Sequence, residues 1–374
     1  MDRPADALDT FRIALAEPLN LSHADPANDS ERLAFRNIRS HLVTVDCRGE
    51  ARPGIVRSWT AEAPGTLTLT LEPPASAVTI NMTFAQALAS RLAPASGPKT
   101  SGIDSAVALN ERQLRLFISA APDTVLRALA DPALAVPDAI PFQAVPATGE
   151  LSMPGLPGGP ELQFRMPPLG DLRDALDRWA DLLVTRDPAL LEYAGRRHEF
   201  TVHPLPWSRT YVLLQPSQAP PLSAGSTELD RQSLARDAVP GDARSAEPPF
   251  WWTESSCPAT GPAAAPSSDR VVYARDDDVA RALAERLVAL GAGNRLRAAG
   301  LEDSSLTAAL RAGSERAYVV SLPPHPLQPC RALRDVPKGA RILSLIDTRE
   351  HAIVRRGAPP LTADWDGTVR IVKP

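Results

Sequence analysis

The chain has 374 residues and a formal net charge of -4, with 44% apolar and 22% charged residues, the profile of a globular protein long enough for two domains. Both signs of charge are scattered and no basic block exists, which excludes a nucleic-acid electrostatic footprint, and no apolar run is long enough to cross a bilayer. The 39 prolines impose many turns and argue against a mainly helical fold.

The opening stretch, MDRPADALDTFRIALAEPLN, carries acids and lacks a long apolar core, so it is not read as a secretory signal. Within it, FRIALAEP (11–18) alternates and predicts a first strand. A polar loop containing Ser22 and His23 follows, and Ser30 is positioned to cap a helix over 31–42. The stretch SHLVTVDCRGEARPGIVRSW (40–59) then gives an apolar run, a polar turn, Pro53-Gly54 and a second apolar run ending at Trp59. TLTLTLEP (66–73) reads as a half-buried strand, TFAQALASRLA (83–93) as a helix, QLRLFIS (113–119) as a strand and DTVLRALADP (123–132) as a short helix stopped at Pro132. After a Pro/Gly-rich loop at 145–160, ELQFRMP (161–167) is a strand, and GDLRDALDRWADLLVT (170–185) is a helix running into a strand.

Residues 215–268 are rich in Pro, Ser and Ala and read as loop, with one short helix at RQSLARDAV and an aromatic pair, Trp251-Trp252. Order returns with a strand at DRVVYARD (269–276) and the clearest helix of the chain at 276–291, its start marked by Asp276–Asp278 and its end by Gly291. A helix near 304–313 and strands at 316–323, 340–349, 352–356 and 366–372 complete the series. Strands alternate with helices throughout, which places the chain in the α/β or α+β class.

The motifs of chemistry are negative. HEFTVH (198–203) spaces its histidines five apart in a strand-like run, so they do not share a helical face for zinc. No G-x-S-x-G or P-loop exists, and GAGNRL (291–296) follows a helix and lacks the third glycine of a dinucleotide site. The Asp276–Asp278 run is a solvated helix start rather than a metal site. Cys47, Cys257 and Cys330 include no C-x-x-C; they are three free thiols, or Cys257 and Cys330 pair in an oxidising compartment. The residues therefore predict no enzyme, no cofactor and no metal.

One resemblance stands beside this reading. Asn37, Leu42, Asp46, Gly49, Pro53 and Trp59 are spaced like a segment near the N-terminus of family 5 extracellular solute-binding proteins, the oligopeptide, dipeptide and nickel receptors of ABC importers. TLTLTLEP, TFAQALASRL, ALNERQLRLFIS, ATGEL (147–151) and ELQFRMPPLGDLRDALDRWADLLVT follow in an order similar to that family, while its Phe-Ser-Asp-Gly loop is missing, so the chain resembles a divergent and shortened member. The resemblance implies an α/β, type II periplasmic-binding fold of two lobes joined by two crossovers, with a cleft between them. Lobe I would be 1–209 with 350–374 returning to it, and lobe II 210–349. The crossovers would fall within 203–217 and near 342–357. Trp59 would be a core anchor of lobe I, and the 366–372 strand would join the lobe of the 11–18 strand. The implied ligand set is Ser22, His23, Trp207, Arg209, Tyr211, Trp252 and Arg349, holding a peptide or other small polar solute. The implied partners are ABC permease subunits, the implied state a monomer, and the implied location periplasmic or cell-surface; with no signal read at the start, either the chain is cytoplasmic or a signal was removed or never included. A cytoplasmic ligand-sensing domain of a regulator with the same fold, or an enzyme with an unrecognised site, are the other classes left open.

Overall fold

The computed structural model describes residues 10–20, 26, 28–72, 81–93, 102–137, 143–145, 150–153, 160–167, 170–219, 222, 231–239, 242–246, 265–290, 296–324, 336 and 339–371. The chain divides into two compact units, Met1–Pro206 with Glu350–Pro374, and Trp207–Arg349.

In the first unit the strand Thr10–Ala14 lies between Glu161–Arg165 and Leu182–Thr185 and is parallel to both. A strand with neighbours on both edges and cover on both faces is apolar almost throughout, and Phe11, Ile13, Ala14 and Leu15 are all at most 2% exposed. Leu182–Thr185 also pairs antiparallel with residues 351–354 of the long strand Arg341–Arg355. What reads in sequence as two strands, 340–349 and 352–356, is one continuous ladder because no turn residue interrupts DTREH.

The first helix is Asp29–Ile38. Its N-cap is Asn28, whose side chain accepts from the Glu31 N–H at 2.8 Å, and Asp29 and Glu31 suit the positive end of the helix dipole. Ser30 is not the cap; it is buried, and its hydroxyl accepts from the Glu17 N–H. The buried face of the helix packs Leu33, Phe35 and Ile38 against Phe11, Ile13, Phe164, Val369 and Ile371. The strand Val369–Ile371 pairs in a hairpin with Leu361–Ala363 and so shares a core with Thr10–Ala14, although more than three hundred residues separate them.

A second core of this unit lies under a four-stranded antiparallel sheet, ordered Val56–Ala63, Thr66–Leu71, Gln113–Ile118, Ile103–Asn110. Leu67, Leu69, Leu71, Leu114 and Leu116 point inward to the helices Met82–Leu92 and Pro122–Ala128. Trp59 sits on the edge strand of this sheet and is only partly buried against that cluster. It is a flank of the core rather than its anchor: a residue on an edge strand has a neighbour on one side alone. Gly54, in the turn before the sheet, passes so close to the backbone of residues 41 and 42 that a Cβ would meet the His41 carbonyl oxygen at 2.3 Å.

In the second unit Arg270–Ala274 lies parallel to Arg297–Leu301 and to Ala317–Leu322, and residues 210–214 pair antiparallel with Ala317–Leu322. RAAGL, left without an element in the sequence, is a strand. The helix Asp278–Leu290 covers the sheet with Ala280, Leu283, Ala284 and Leu287. Asp277 caps it, accepting from the Ala280 N–H at 3.0 Å. The helix Asp303–Ala312 stops at Gly313, whose φ of 58° is the left-handed conformation that a Cβ disfavours. Among the described residues no helix is long and apolar enough to cross a membrane.

Candidate functional site

Three strands bring a polar group of the second unit together. Trp207 and Thr210 lie on the strand Phe200–Gln215, Asp347 and Arg349 on Arg341–Arg355, and Arg244 on the short strand Ala243–Ser245. The last pairs antiparallel with residues 346–348, which sets Arg244 directly opposite Asp347. Side chains opposite each other share a face, and Arg244 Nε donates to Asp347 Oδ2 at 3.2 Å. The Thr210 hydroxyl donates to Asp347 Oδ1 at 2.8 Å, so both oxygens of a carboxylate that is 3% exposed are engaged. Arg349, two residues further along the same face, donates from Nε and Nη2 to Asp242 Oδ1, each at 3.3 Å.

The guanidinium carbons of Arg244 and Arg349 each lie 4.8 Å from the centre of the Trp207 ring. A cation at that distance is attracted by the negative face of the indole. The result is a half-exposed aromatic ring fixed by two cations, each of which is also held by a carboxylate.

The sequence-predicted residues divide accordingly. Trp207 and Arg349 are brought together. Arg209 Nη1 donates to the Ser321 hydroxyl at 3.3 Å. Tyr211 is fully buried in the core of the second unit, and its hydroxyl lies 3.0 and 3.1 Å from the two oxygens of Asp277, the cap of the Asp278–Leu290 helix. Ser22, His23 and Trp252 lie outside the described residues, as do Gly291, Cys257 and Cys330. Cys47 is an exposed free thiol. Sequence reasoning missed Arg244 and Asp242, which stand in a composition-biased stretch with no periodicity to mark them; the three-residue strand that aims Arg244 exists only through its pairing partner.

A second polar cluster lies in the first unit, where the Asp29–Ile38 helix meets the Leu361–Ile371 hairpin. Arg36 pairs with Asp366 at 2.5 Å and with Asp364 at 3.2 Å, and its Nη1 lies 3.2 Å from His41 Nε2. Asn37 donates to the Val369 carbonyl and accepts from the Ile371 N–H. Burial alone would raise the Asp366 carboxyl, but Arg36, Arg32 and the Thr368 N–H outweigh it and hold the group at about 2. Burial, with Arg36 and Arg370 beside it, pushes the His41 ring well below the usual histidine range. Burial raises the Asp364 carboxyl against the pull of Arg36 and Arg370. Among the described residues no group of three or more His, Cys, Asp or Glu side chains is placed to hold a metal ion.

No family model and no curated protein matches the chain. Solved structures do match, over nearly the whole of both chains. The dipeptide binding protein from Pseudoalteromonas sp. SM9913, in complex with Met-Leu, aligns with TM-score 0.68 at 12% identity over 96% of this chain and 98% of that one. NikA from Staphylococcus aureus, in complex with Ni(L-His)2, aligns with TM-score 0.62 at 13% identity over 98% of each. The Escherichia coli murein tripeptide binding protein MppA aligns with TM-score 0.64 at 11% identity over 97% and 96%. The chain therefore has the mixed α/β fold of the periplasmic solute-binding proteins. Identity this low carries the fold and nothing finer.

Proposed function

We propose that the chain is a solute-binding receptor of an ABC-type importer that captures a peptide-like or other small polar solute. The observation that carries this reading is the likeness over nearly the full length of both chains to proteins that bind Met-Leu, a murein tripeptide or Ni(L-His)2. The structures matched are binding proteins rather than enzymes. On this reading the chain works as a monomer outside the cytoplasmic membrane and delivers solute to permease subunits.

On the second unit we assign solute contact to Trp207 with Arg244 and Arg349; Arg209 and Trp252 belong to the same proposal, as do Ser22 and His23 of the first unit. A half-exposed indole offers apolar area, and guanidiniums offer forked donors for a carboxylate. Tyr211 is assigned to packing and the helix cap.

The test is a thermal-shift panel of dipeptides, tripeptides, Ni(L-His)2 and sugars. A solute that binds only the folded chain stabilises it by about 2.7 kcal/mol at a hundredfold excess over Kd. The reading predicts a rise for a peptide or a nickel chelate that is lost in Trp207→Ala. A panel that leaves the melting temperature unmoved throughout overturns it.

A further inference from the structure

We propose that His41, wedged against the Arg36 guanidinium, is an acid-sensitive latch that holds the Leu361–Ile371 hairpin on the Asp29–Ile38 helix at neutral pH and releases it in acid. The inference is independent of the solute reading.

The geometry fixes the protonation state. Arg36 has only donors to offer, so across the 3.2 Å contact His41 Nε2 accepts. The ring proton then sits on Nδ1, which is buried and has no hydrogen-bond partner. His41 itself is 6% exposed. A second proton would have to enter at Nε2, facing the Arg36 nitrogen donor to donor and cation to cation. That contact survives only while the ring is neutral.

The surroundings oppose the charged ring from several elements. Arg36 faces it from the helix, Arg39 from the strand that follows and Arg370 from the hairpin; Asp366, in the hairpin turn, is the opposing anion. Asp366 is already engaged, because Arg36 Nη2 donates to its Oδ2 and the Thr368 N–H to its Oδ1. Protonated His41 therefore has no spare carboxylate beside it, and it relaxes only by leaving the Arg36 contact. Arg36 also ties Asp364 and Asp366 to the helix, beside the Asn37 bonds to Val369 and Ile371, so a charged ring that drives Arg36 away removes one of the two polar attachments of the hairpin and makes its opening easier. Once detached and solvated, the ring takes up its proton with the ordinary histidine value of about 6.5. The link is one proton, so opening becomes more favourable as pH falls below that value.

The experiment is hydrogen exchange on the full chain, reading peptides across 361–371 at pH 7.5 and 5.0, corrected for intrinsic rates, in the wild type and His41→Gln. Glutamine keeps an acceptor for Arg36 and does not titrate. The wild type is expected to show an increase in the open population of up to about 30-fold between the two pH values, the one-proton limit, and the variant less than about threefold. Asp364 titrates in both proteins and cancels in the comparison. An equal increase in both, or none in the wild type, overturns the proposal. If the variant fails to fold, C2-proton exchange in the wild type decides: a His41 midpoint at the ordinary histidine value of about 6.5 overturns the latch, and one clearly below it supports the latch.

Discussion

Trp207 and Arg349 are the first and last residues of the second unit, and they are stacked, with the Arg349 guanidinium carbon 4.8 Å from the centre of the Trp207 ring. The two points at which the chain enters and leaves this unit are thus tied to each other by a side-chain contact as well as by the sheet. A cation–π contact at a half-exposed site is worth about 0.5–1 kcal/mol. A double-mutant cycle of Trp207→Leu and Arg349→Gln, followed by urea unfolding, is expected to give a coupling of that size. A coupling indistinguishable from zero would mean that the stack contributes nothing.

Asp347 and Asp242 each hold an arginine beside Trp207, but they differ in burial. Asp347 accepts from Arg244 and from the Thr210 hydroxyl and is almost wholly inaccessible, whereas Asp242 is more exposed. Asp347→Ala is expected to cost about 2–3 kcal/mol, because it leaves a buried hydroxyl and a charged donor unmatched. Asp242→Ala should cost no more than about 1 kcal/mol. Denaturant midpoints for the two variants check the order; equal losses would contradict it.

Acid stability is the third test. Asp366 has a folded-state value of about 2, depressed below the ordinary aspartate value of about 3.9. A depressed carboxylate stabilises the fold above its unfolded value, and that stabilisation is lost as pH falls through the folded value; here it is on the order of 2–3 kcal/mol. His41 acts on the same side. Its folded value is lowered, so the unfolded chain binds the proton first and stability falls as pH drops below about 6.5. Asp364, raised by burial, runs the other way: its contribution is full below the unfolded aspartate value and is lost as pH rises through its folded value. Stability measured from pH 8 to 2 should therefore fall in two stages. Asp366→Asn should flatten the lower stage and His41→Gln the upper one. Unchanged profiles would show that neither group governs the acid limb.

Trp59 and Gly54 give opposite expectations from neighbouring positions. Trp59→Ala is expected to cost about 1–2 kcal/mol, less than the 3–5 of a fully buried aromatic, because the ring only flanks the Leu67–Leu69 core. Gly54→Ala should cost more, about 3 kcal/mol or loss of folding, since the atoms its Cβ meets are backbone oxygens that cannot swing away. Unfolding free energies in the reverse order would overturn both assignments.

Local signals carried much of the fold into the sequence. The helix at 82–92, the strands at 66–71 and 113–118, and the helix at 278–290 followed from periodicity and caps, all of which act over a few residues. What could not be read depends on pairing at a distance. Ser30 reads as a cap in isolation; only the approach of Glu17 assigns it elsewhere and leaves the cap to Asn28. The RAAGL strand has no alternation of its own and exists because Arg270–Ala274 offers it a parallel edge. At the candidate site, Trp207 and Arg349 were visible as large or charged side chains in stretches that the family resemblance marks as crossovers, whereas Arg244 was hidden in a Pro- and Ser-rich segment. The Arg36 cluster left no trace in the sequence, since its two halves are separated by 330 positions.

That separation has a consequence for how the protein is made. At a synthesis rate of 5–20 residues per second, the hairpin that completes the Asp29–Ile38 helix arrives about 15–65 s after Arg36 has left the ribosome. Throughout that interval the apolar stripe of Leu33, Phe35 and Ile38 lacks Val369 and Ile371, the part of its cover that comes from the hairpin, and Arg36 waits with no carboxylate from residues 364 and 366. The second unit is continuous in the chain and has all its strands as soon as residue 349 emerges. The unit translated first is thus completed second, and a nascent chain stalled short of the hairpin would present an uncovered apolar surface, the kind of segment that molecular chaperones grip.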